Sequence, residues 1–313
     1  MSRQLVVSPS PHLRSANTTS NIMFDVILAL FPALFVSVIY FGWRALLVTV
    51  VCAASCVVFE YLIRRIMKRD NTISDLSAVV TGMLLAFNLP PSVPLWVAVL
   101  GCFFAIVIVK QLFGGIGQNF ANPAISARIM LFISFPVYMT TWLRPFAYQY
   151  SEGVDTVASA TPLLAVNEAD TLALFLGNVP GCIGEVSALA LLIGGIYLAV
   201  RRVIHPLVPL VFLGTVFLFT WAAGDNPLNH LLAGGLMLGA VFMATDYATT
   251  PATLEGKLIF AVGCGLVTSL IRIFGSYPEG VSFSILLMNL LTPLIDRFTM
   301  TRPFGTKGGN VHG

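Results

Sequence analysis

Asp155-Thr156-Val157-Ala158-Ser159-Ala160-Thr161-Pro162-Leu163-Leu164 lies in the one long polar connection of an otherwise apolar chain. Ala and Ser bury little apolar area and Pro162 interrupts any regular hydrogen-bonded run, so this stretch cannot build a core. Its place in the chain decides the fold. It divides the apolar segments into two equal sets, and the number in each set fixes how the halves can be related.

The chain has 313 residues, 57% hydrophobic and 10% charged, with a mean hydropathy of +0.88. Soluble domains carry about 25% charged residues, so the composition implies a polytopic, all-α membrane protein. A net charge of +3 with no basic run interleaved with aromatics is too small to argue for nucleic acid, and no nucleic-acid partner is expected. The polar segment before Ile22 contains Arg3, His12 and Arg14 but no cleavage site behind a short apolar core, and is expected to stay on the chain. Cys52, Cys56, Cys102, Cys182 and Cys264 lack metal-site spacing and read as small packing residues.

Spanning hydrocarbon takes about 20 apolar residues per helix. That length predicts spans near 22–42, 45–63, 74–88, 93–113, 122–142, 183–200, 205–224, 228–245, 257–274 and 280–296, about ten in all, the third short and ending at Asn88-Leu89-Pro90-Pro91. With a cytoplasmic N-terminus, the inner side collects Arg3, Arg14, Arg64, Arg65, Lys68, Arg69, Arg201, Arg202, Lys257, Arg297, Arg302 and Lys307. The outer side keeps Arg44, Arg144 and Arg272, and Trp43, Trp96, Trp142 and Trp221 fall at outer helix ends. Both termini are then cytoplasmic. Asn17-Thr18-Thr19, which fits a glycosylation acceptor, stays inside.

The predicted parts are a cytoplasmic segment 1–21, a first five-helix unit 22–142, an extracytoplasmic loop 143–182, a second five-helix unit 183–297 and a tail 298–313. A duplicated unit with an odd number of spans inserts its second copy upside down, which gives inverted repeats. Two internal matches agree with duplication. Lys110-Gln111-Leu112-Phe113-Gly114-Gly115 corresponds to Ile271-Arg272-Ile273-Phe274-Gly275-Ser276, and Thr81-Gly82-Met83-Leu84-Leu85 to Gly234-Gly235-Leu236-Met237-Leu238.

Polar residues in membrane helices default to functional candidates, with interfacial anchoring as the competitor. Asp25 and Asp75 stand at inner helix starts, and Glu60 and Glu185 read as interfacial. Asn88 and Asp246 occupy inverted equivalents in the two units, and with Asp25 and Asp75 they are the candidates for an ion path. Lys110, the glycine-rich loop with Asn119 and Asn122-Pro123-Ala124, and Arg128 form the candidate cofactor cluster. Glycines allow close backbone approach and free amides at a helix start hold oxygen ligands; the same residues also serve a tight turn with Asn caps. His230 reads as a satisfied interfacial histidine rather than a metal ligand, and no catalytic triad or metal motif is present in the sequence. Thr161 is a hydroxyl in an accessible small-residue loop, which on residue type alone is either a linker or a modification site. A cofactor-free channel or secondary transporter for a small solute, and a docking scaffold, remain open on these grounds.

Ser10-Pro11-His12-Leu13-Arg14, Ile22-Met23-Phe24-Asp25 through Pro32-Ala33, the Asn119/Asn122-Pro123-Ala124 segment and Asp155…Ser159-Ala160-Thr161-Pro162-Leu163 together resemble the D-type subunits (RnfD) of the bacterial Rnf ion-translocating electron-transport complex. Those subunits are themselves similar to the B-type subunits (NqrB) of the sodium-pumping NADH:quinone oxidoreductase. The resemblance runs over nearly the whole chain. It implies FMN joined through its phosphate to the Thr161 hydroxyl by a flavin transferase that reads an acidic motif starting at Asp155, with Ser159 and Ala160 before the acceptor. Ala158 and Ser159 depart from the usual Ser/Thr and Gly of that motif. The likeness to the sodium pump adds riboflavin, held noncovalently, as an expected second flavin. It also implies electron transfer between ferredoxin and NAD coupled to Na+ or H+ movement, the A-, B-, C-, E- and G-type Rnf proteins as partners, and a multi-pass location in the bacterial inner membrane.

A cysteine introduced beside Thr161 is expected to react with a membrane-impermeant reagent added from outside, and one beside Arg65 is not. The opposite labelling pattern would reverse the orientation.

Overall fold

The computed structural model describes residues 18–149, 158–159, 161–275 and 279–300. Asp155 and Ala160, both termini and the N-terminal motif residues lie outside these, and Ser159 is described for its backbone alone. The first half contains α1 (Thr19–Phe41), α2 (Trp43–Ile66), α3 (Ser77–Phe87), α4 (Leu95–Phe103, continuing as a π-helix over Phe104–Gln111), α5 (Pro123–Ser134) and the short α6 (Pro136–Met139). The second half contains α7 (Thr171–Leu176), α8 (Ala188–Val200), α9 (Leu207–Ala223), α10 (Pro227–Leu232), α11 (Leu236–Leu238, continuing as a π-helix over Gly239–Met243), α12 (Leu254–Phe274) and α13 (Gly280–Thr299). Among the described residues, four helices, α1, α2, α12 and α13, are long and apolar enough to cross a membrane; α3, the α4 rod, α5, α8 and α9 are shorter apolar helices.

Local chemistry sets the helix ends. The Thr18 hydroxyl accepts from Asn21 N–H at the start of α1, and Gly42 at φ +70° reverses the chain directly into α2. Asn122 accepts from the amides of Ala124 and Ile125, with Pro123 in the first turn of α5. Pro136 ends α5, so the fifth apolar segment is shorter than its 122–142 length suggested. Trp142–Leu143 (β1) then pairs antiparallel with Ala158–Ser159 (β2), a small exception to an all-α reading.

Three apolar segments are interrupted. α3 ends at Phe87 as the short third span predicts. The sixth starts as a helix only at Ala188, because Ile183 and Gly184 donate instead to the carbonyls of Leu89 and Phe87 at 3.0 and 2.9 Å. The eighth, continuous over 228–245 by apolar length, breaks at Ala233-Gly234-Gly235, where Gly234 adopts φ +65°. Arg272 caps that break by donating to His230 O at 2.5 Å and Ala233 O at 3.0 Å.

Apolar packing is close where small residues permit it. A Cβ on Gly82 would fall 2.7 Å from Ala53 Cα and 2.8 Å from Cys52 O, both backbone atoms of α2. All five cysteines are free and buried, Cys52, Cys56 and Cys102 among the core of the first half.

Gly82→Leu is therefore expected to prevent α2 and α3 from closing and to abolish folded material in size-exclusion chromatography. Gly214→Ala in α9, whose added Cβ would meet nothing within 4 Å beyond its own stretch of helix, should raise thermal stability by up to about 1 kcal/mol through helix propensity.

Candidate functional site

Contacts sort the polar residues into two groups at opposite ends of the bundle. At the end carrying the arginine-rich C-terminus of α2, Glu60 is fully buried. Lys110 Nζ lies 2.8 Å from Glu60 Oε2 and 2.6 Å from Ser77 Oγ, while Gln111 Nε2 and Thr72 Oγ1 donate to Glu60 Oε1 at 3.0 and 2.9 Å. Glu60 is thus not the interfacial residue that its position suggested; a buried carboxylate needs a counter-charge, and the π-helical turn delivers one from α4. Asp75 Oδ1 accepts from the amide and hydroxyl of Ser77, the first-turn role expected of it.

A cleft opens beside this pair, holding about 780 Å³ including its solvent-open mouth. Lys110, Asn119, Asn122, Ser77, Thr245 and Asp246 supply polar lining against Val80, Leu84 and Phe242. The Asn119 Oδ1 is buried without a hydrogen-bond partner, which leaves an acceptor aimed at whatever fills the space. Asp246 accepts from Ala248 N–H and Thr249 Oγ1; burial nevertheless pushes its carboxyl above the ordinary range. Asp25 stands apart, bonded to Tyr197 Oη at 2.9 Å and paired with the exposed Arg201. The glycine-rich loop has Gly114, Gly115 and Gly117 at positive φ, and a Cβ on Gly115 would meet Arg64 Nη2; the loop packs on an arginine.

Arg128 belongs to the other group, which corrects its assignment to the Lys110 cluster. From the middle of α5 it donates to Asn88 Oδ1 and Glu185 Oε1, each at 2.5 Å, and to Glu279 Oε2. Glu185 is 5% exposed rather than interfacial, and Cys182, Glu185 and Glu279 place their ligand atoms within 4.8 Å of one another around the guanidinium. Asn88 also donates to Met243 Sδ at 3.7 Å, so the broken third segment touches the eighth, yet Asn88 and Asp246 serve separate sites.

Thr161 lies next to this ion cluster. It caps the 3₁₀ helix Pro162–Glu168, accepting from Leu163 N–H at 3.3 Å, and is half-buried. Asn229, 1% exposed, fixes the loop by donating to Val166 O and Ala169 O at 2.8 and 2.9 Å, and Asn167 donates to Asp225. A narrow crevice, about 330 Å³ with its open solvent counted, joins Thr161 to Trp142, Gly181, Gly234, Glu185 and Glu279. Trp142 is 6% exposed, so it walls this pocket, whereas Trp43, Trp96 and Trp221 are exposed as belt residues are. His230 is buried with Nε2 3.4 Å from Asp225, and its Nδ1 has no hydrogen-bond partner, so it is only partly the satisfied histidine expected. The sequence did not single out Asn229 or Glu279; an acid between two apolar segments was the signal that could have found Glu279.

A family model described as NQR2, RnfD, RnfE family matches residues 6–305. The chain belongs to that family. It is 50% identical to the D-type subunit of the Na+-translocating ferredoxin:NAD+ oxidoreductase complex of Acetobacterium woodii, over 96% of this chain and 95% of that protein. It is 45% identical, over 96% of each chain, to the D-type subunit of the proton-translocating ferredoxin:NAD+ oxidoreductase complex of Clostridium ljungdahlii. The D-type subunit of the ion-translocating oxidoreductase complex of Salmonella paratyphi A is 35% identical over 97% of this chain and 99% of its own. Membership of this membrane-protein family agrees with the apolar helices and the buried ion pairs.

Arg128→Met would leave Glu185 and Glu279 without their shared counter-charge. A loss of about 3–5 kcal/mol is expected, read as a lowered melting temperature in detergent, and an unchanged melting curve would refute the pairing.

Proposed function

We propose that this chain is the D-type membrane subunit of an ion-translocating ferredoxin:NAD+ oxidoreductase, and that it carries electrons on FMN esterified to Thr161. The observation that carries the first part is 50% identity along 96% of the chain to a protein of that name. Attachment at Thr161 is supported by the sequence motif around it. The surroundings also fit: a half-buried hydroxyl at the edge of a pocket, an aromatic wall in Trp142, two glycines that admit a close approach, and a buried Arg272 Nε without a partner nearby.

Bound flavin would supply the one- and two-electron chemistry. The protein's part is to seat it: Asn229 and Asn167 pin the loop, Thr161 offers the oxygen, and Trp142 with Gly181 and Gly234 shapes the seat. The cleft with Asn119, Asn122 and Lys110 is the proposed seat of a second, noncovalent flavin such as riboflavin, in which Asn119 Oδ1 gains a donor. The coupling ion is Na+ or H+, with Asp25, Asp75, Asn88 and Asp246 as candidates along its route.

The proposed architecture is two inverted five-helix units, 22–142 and 183–297, with cytoplasmic termini in the inner membrane and the 143–182 loop outside. The paired breaks in the third and eighth segments support it, since inverted-repeat transporters place sites at discontinuous helices. On this arrangement the flavin transferase meets Thr161 from outside, and the A-, B-, C-, E- and G-type Rnf proteins supply the neighbouring carriers.

Natively produced protein is expected to keep yellow flavin fluorescence on a denaturing gel, and the peptide containing Asp155–Leu164 to carry the added mass of an FMN ester. Thr161→Ala should lose both. A colourless wild-type band of bare-polypeptide mass would sink the flavin assignment and favour a cofactor-free channel or transporter.

A further inference from the structure

The Thr161 pocket holds a group whose charge can change. Glu279 stands immediately before α13, and its carboxylate faces Arg128 of α5, Glu185 and Cys182 of the segment before α8, and Arg272 of α12. With Thr161 it lines the pocket beside Trp142. Two arginines offset two glutamates in formal charge, so the cluster is balanced as it stands. Negative charge placed on a cofactor in this pocket would upset that balance at short range and low dielectric.

The guanidinium groups of Arg128 and Arg272 do not release their protons. Compensation by gain of a proton therefore falls to the carboxylates. The side chain of Glu185 is 3% exposed and that of Glu279 14%, at the end of the bundle that bears the Thr161 loop. Glu279 is the more exposed of the two carboxylates. Burial also moves its carboxyl above the ordinary range despite the opposing charge of Arg128, the direction in which added negative charge would push it further.

We propose that Glu279 takes up a proton from the outer solution whenever the carrier on Thr161 is reduced, and returns it on reoxidation. The inference rests on the reading of Thr161 as the flavin attachment point. Two electrons arrive singly from a ferredoxin-class donor or the carrier that relays them. One proton forms an O–H bond on the Glu279 carboxylate, in addition to any proton taken by the flavin ring. When the electrons leave for the next carrier, that O–H bond breaks and the proton goes back to the side from which it came. Arg128 is a positioning residue in this scheme, holding the two carboxylates apart and aimed at the pocket.

The test uses the whole complex purified from its host. In spectroelectrochemical titration, the midpoint potential of the Thr161 flavin is expected to fall more steeply with pH in the wild type than in Glu279→Gln. The expected difference is about 30 mV per pH unit, one extra proton per two electrons, and Glu279→Asp should keep the wild-type slope. Equal slopes in wild type and Glu279→Gln overturn the inference.

Should Glu279→Gln fail to assemble, the redox-difference infrared spectrum of the wild type decides. A protonated-carboxyl stretch should appear on reduction, shift in D2O, and be missing from Thr161→Ala. Absence of that band, or its persistence without the flavin, overturns the proposal. A colourless wild-type gel band defeats both the attachment and this inference, and so is distinguished from a failure confined to Glu279.

Discussion

A backbone amide or carbonyl left without a partner in hydrocarbon costs several kcal/mol, and this bundle opens its helices after Phe87, before Ala188 and at Ala233–Gly235. Most of what is unusual in the structure follows from closing those gaps. The first two openings satisfy each other through Ile183 and Gly184, and Ser37 of α1 adds a donor to Ile183 O. Gly184 is required there because any Cβ would run into the Phe87 side chain. The third is closed by a guanidinium from α12. Irregular backbone is thus held inside protein, and the charged side chains that close it bring ionisable chemistry into the bundle.

Much of this is legible in the chain. Apolar run lengths locate the long helices, the Asn88-Leu89-Pro90-Pro91 sequence marks a short third segment, and Asp75 has the first-turn role its position predicts. The break in the eighth segment is not legible, because Gly234-Gly235 inside an apolar run is as compatible with close packing as with an interruption. What separates the two is Arg272, about 40 positions away in sequence. Glu60 and Glu185 mislead for the same reason. Sequence position puts each near a segment end, while the partners that make burial tolerable, Lys110 and Arg128, come from other helices. Arg128 lies close to Lys110 along the chain, and the α5 helix carries it away to a different site.

The two sites share a physical link in α3. Ser77 at its start receives Lys110, Val80 and Leu84 line the Lys110 cleft, and Asn88 just past its end receives Arg128. Eleven residues of helix span about 16 Å, and nearly all of them are buried. A displacement of this rod along its axis would disturb both clusters together. A membrane machine that couples electron flow to ion movement needs an element of that kind, one stiff body with a buried cation from another helix bound at each end.

The spacing of the charged pairs along the chain also bears on biogenesis. Glu60 waits 50 positions for Lys110, and Arg128 waits 57 for Glu185 and 151 for Glu279. During synthesis the ribosome therefore hands the insertion machinery a first half whose α5 carries a guanidinium with no carboxylate yet made to receive it. That half has reason to linger in the translocon's aqueous groove until the second arrives, so the nascent protein is assembled as one piece rather than as two independently settled halves.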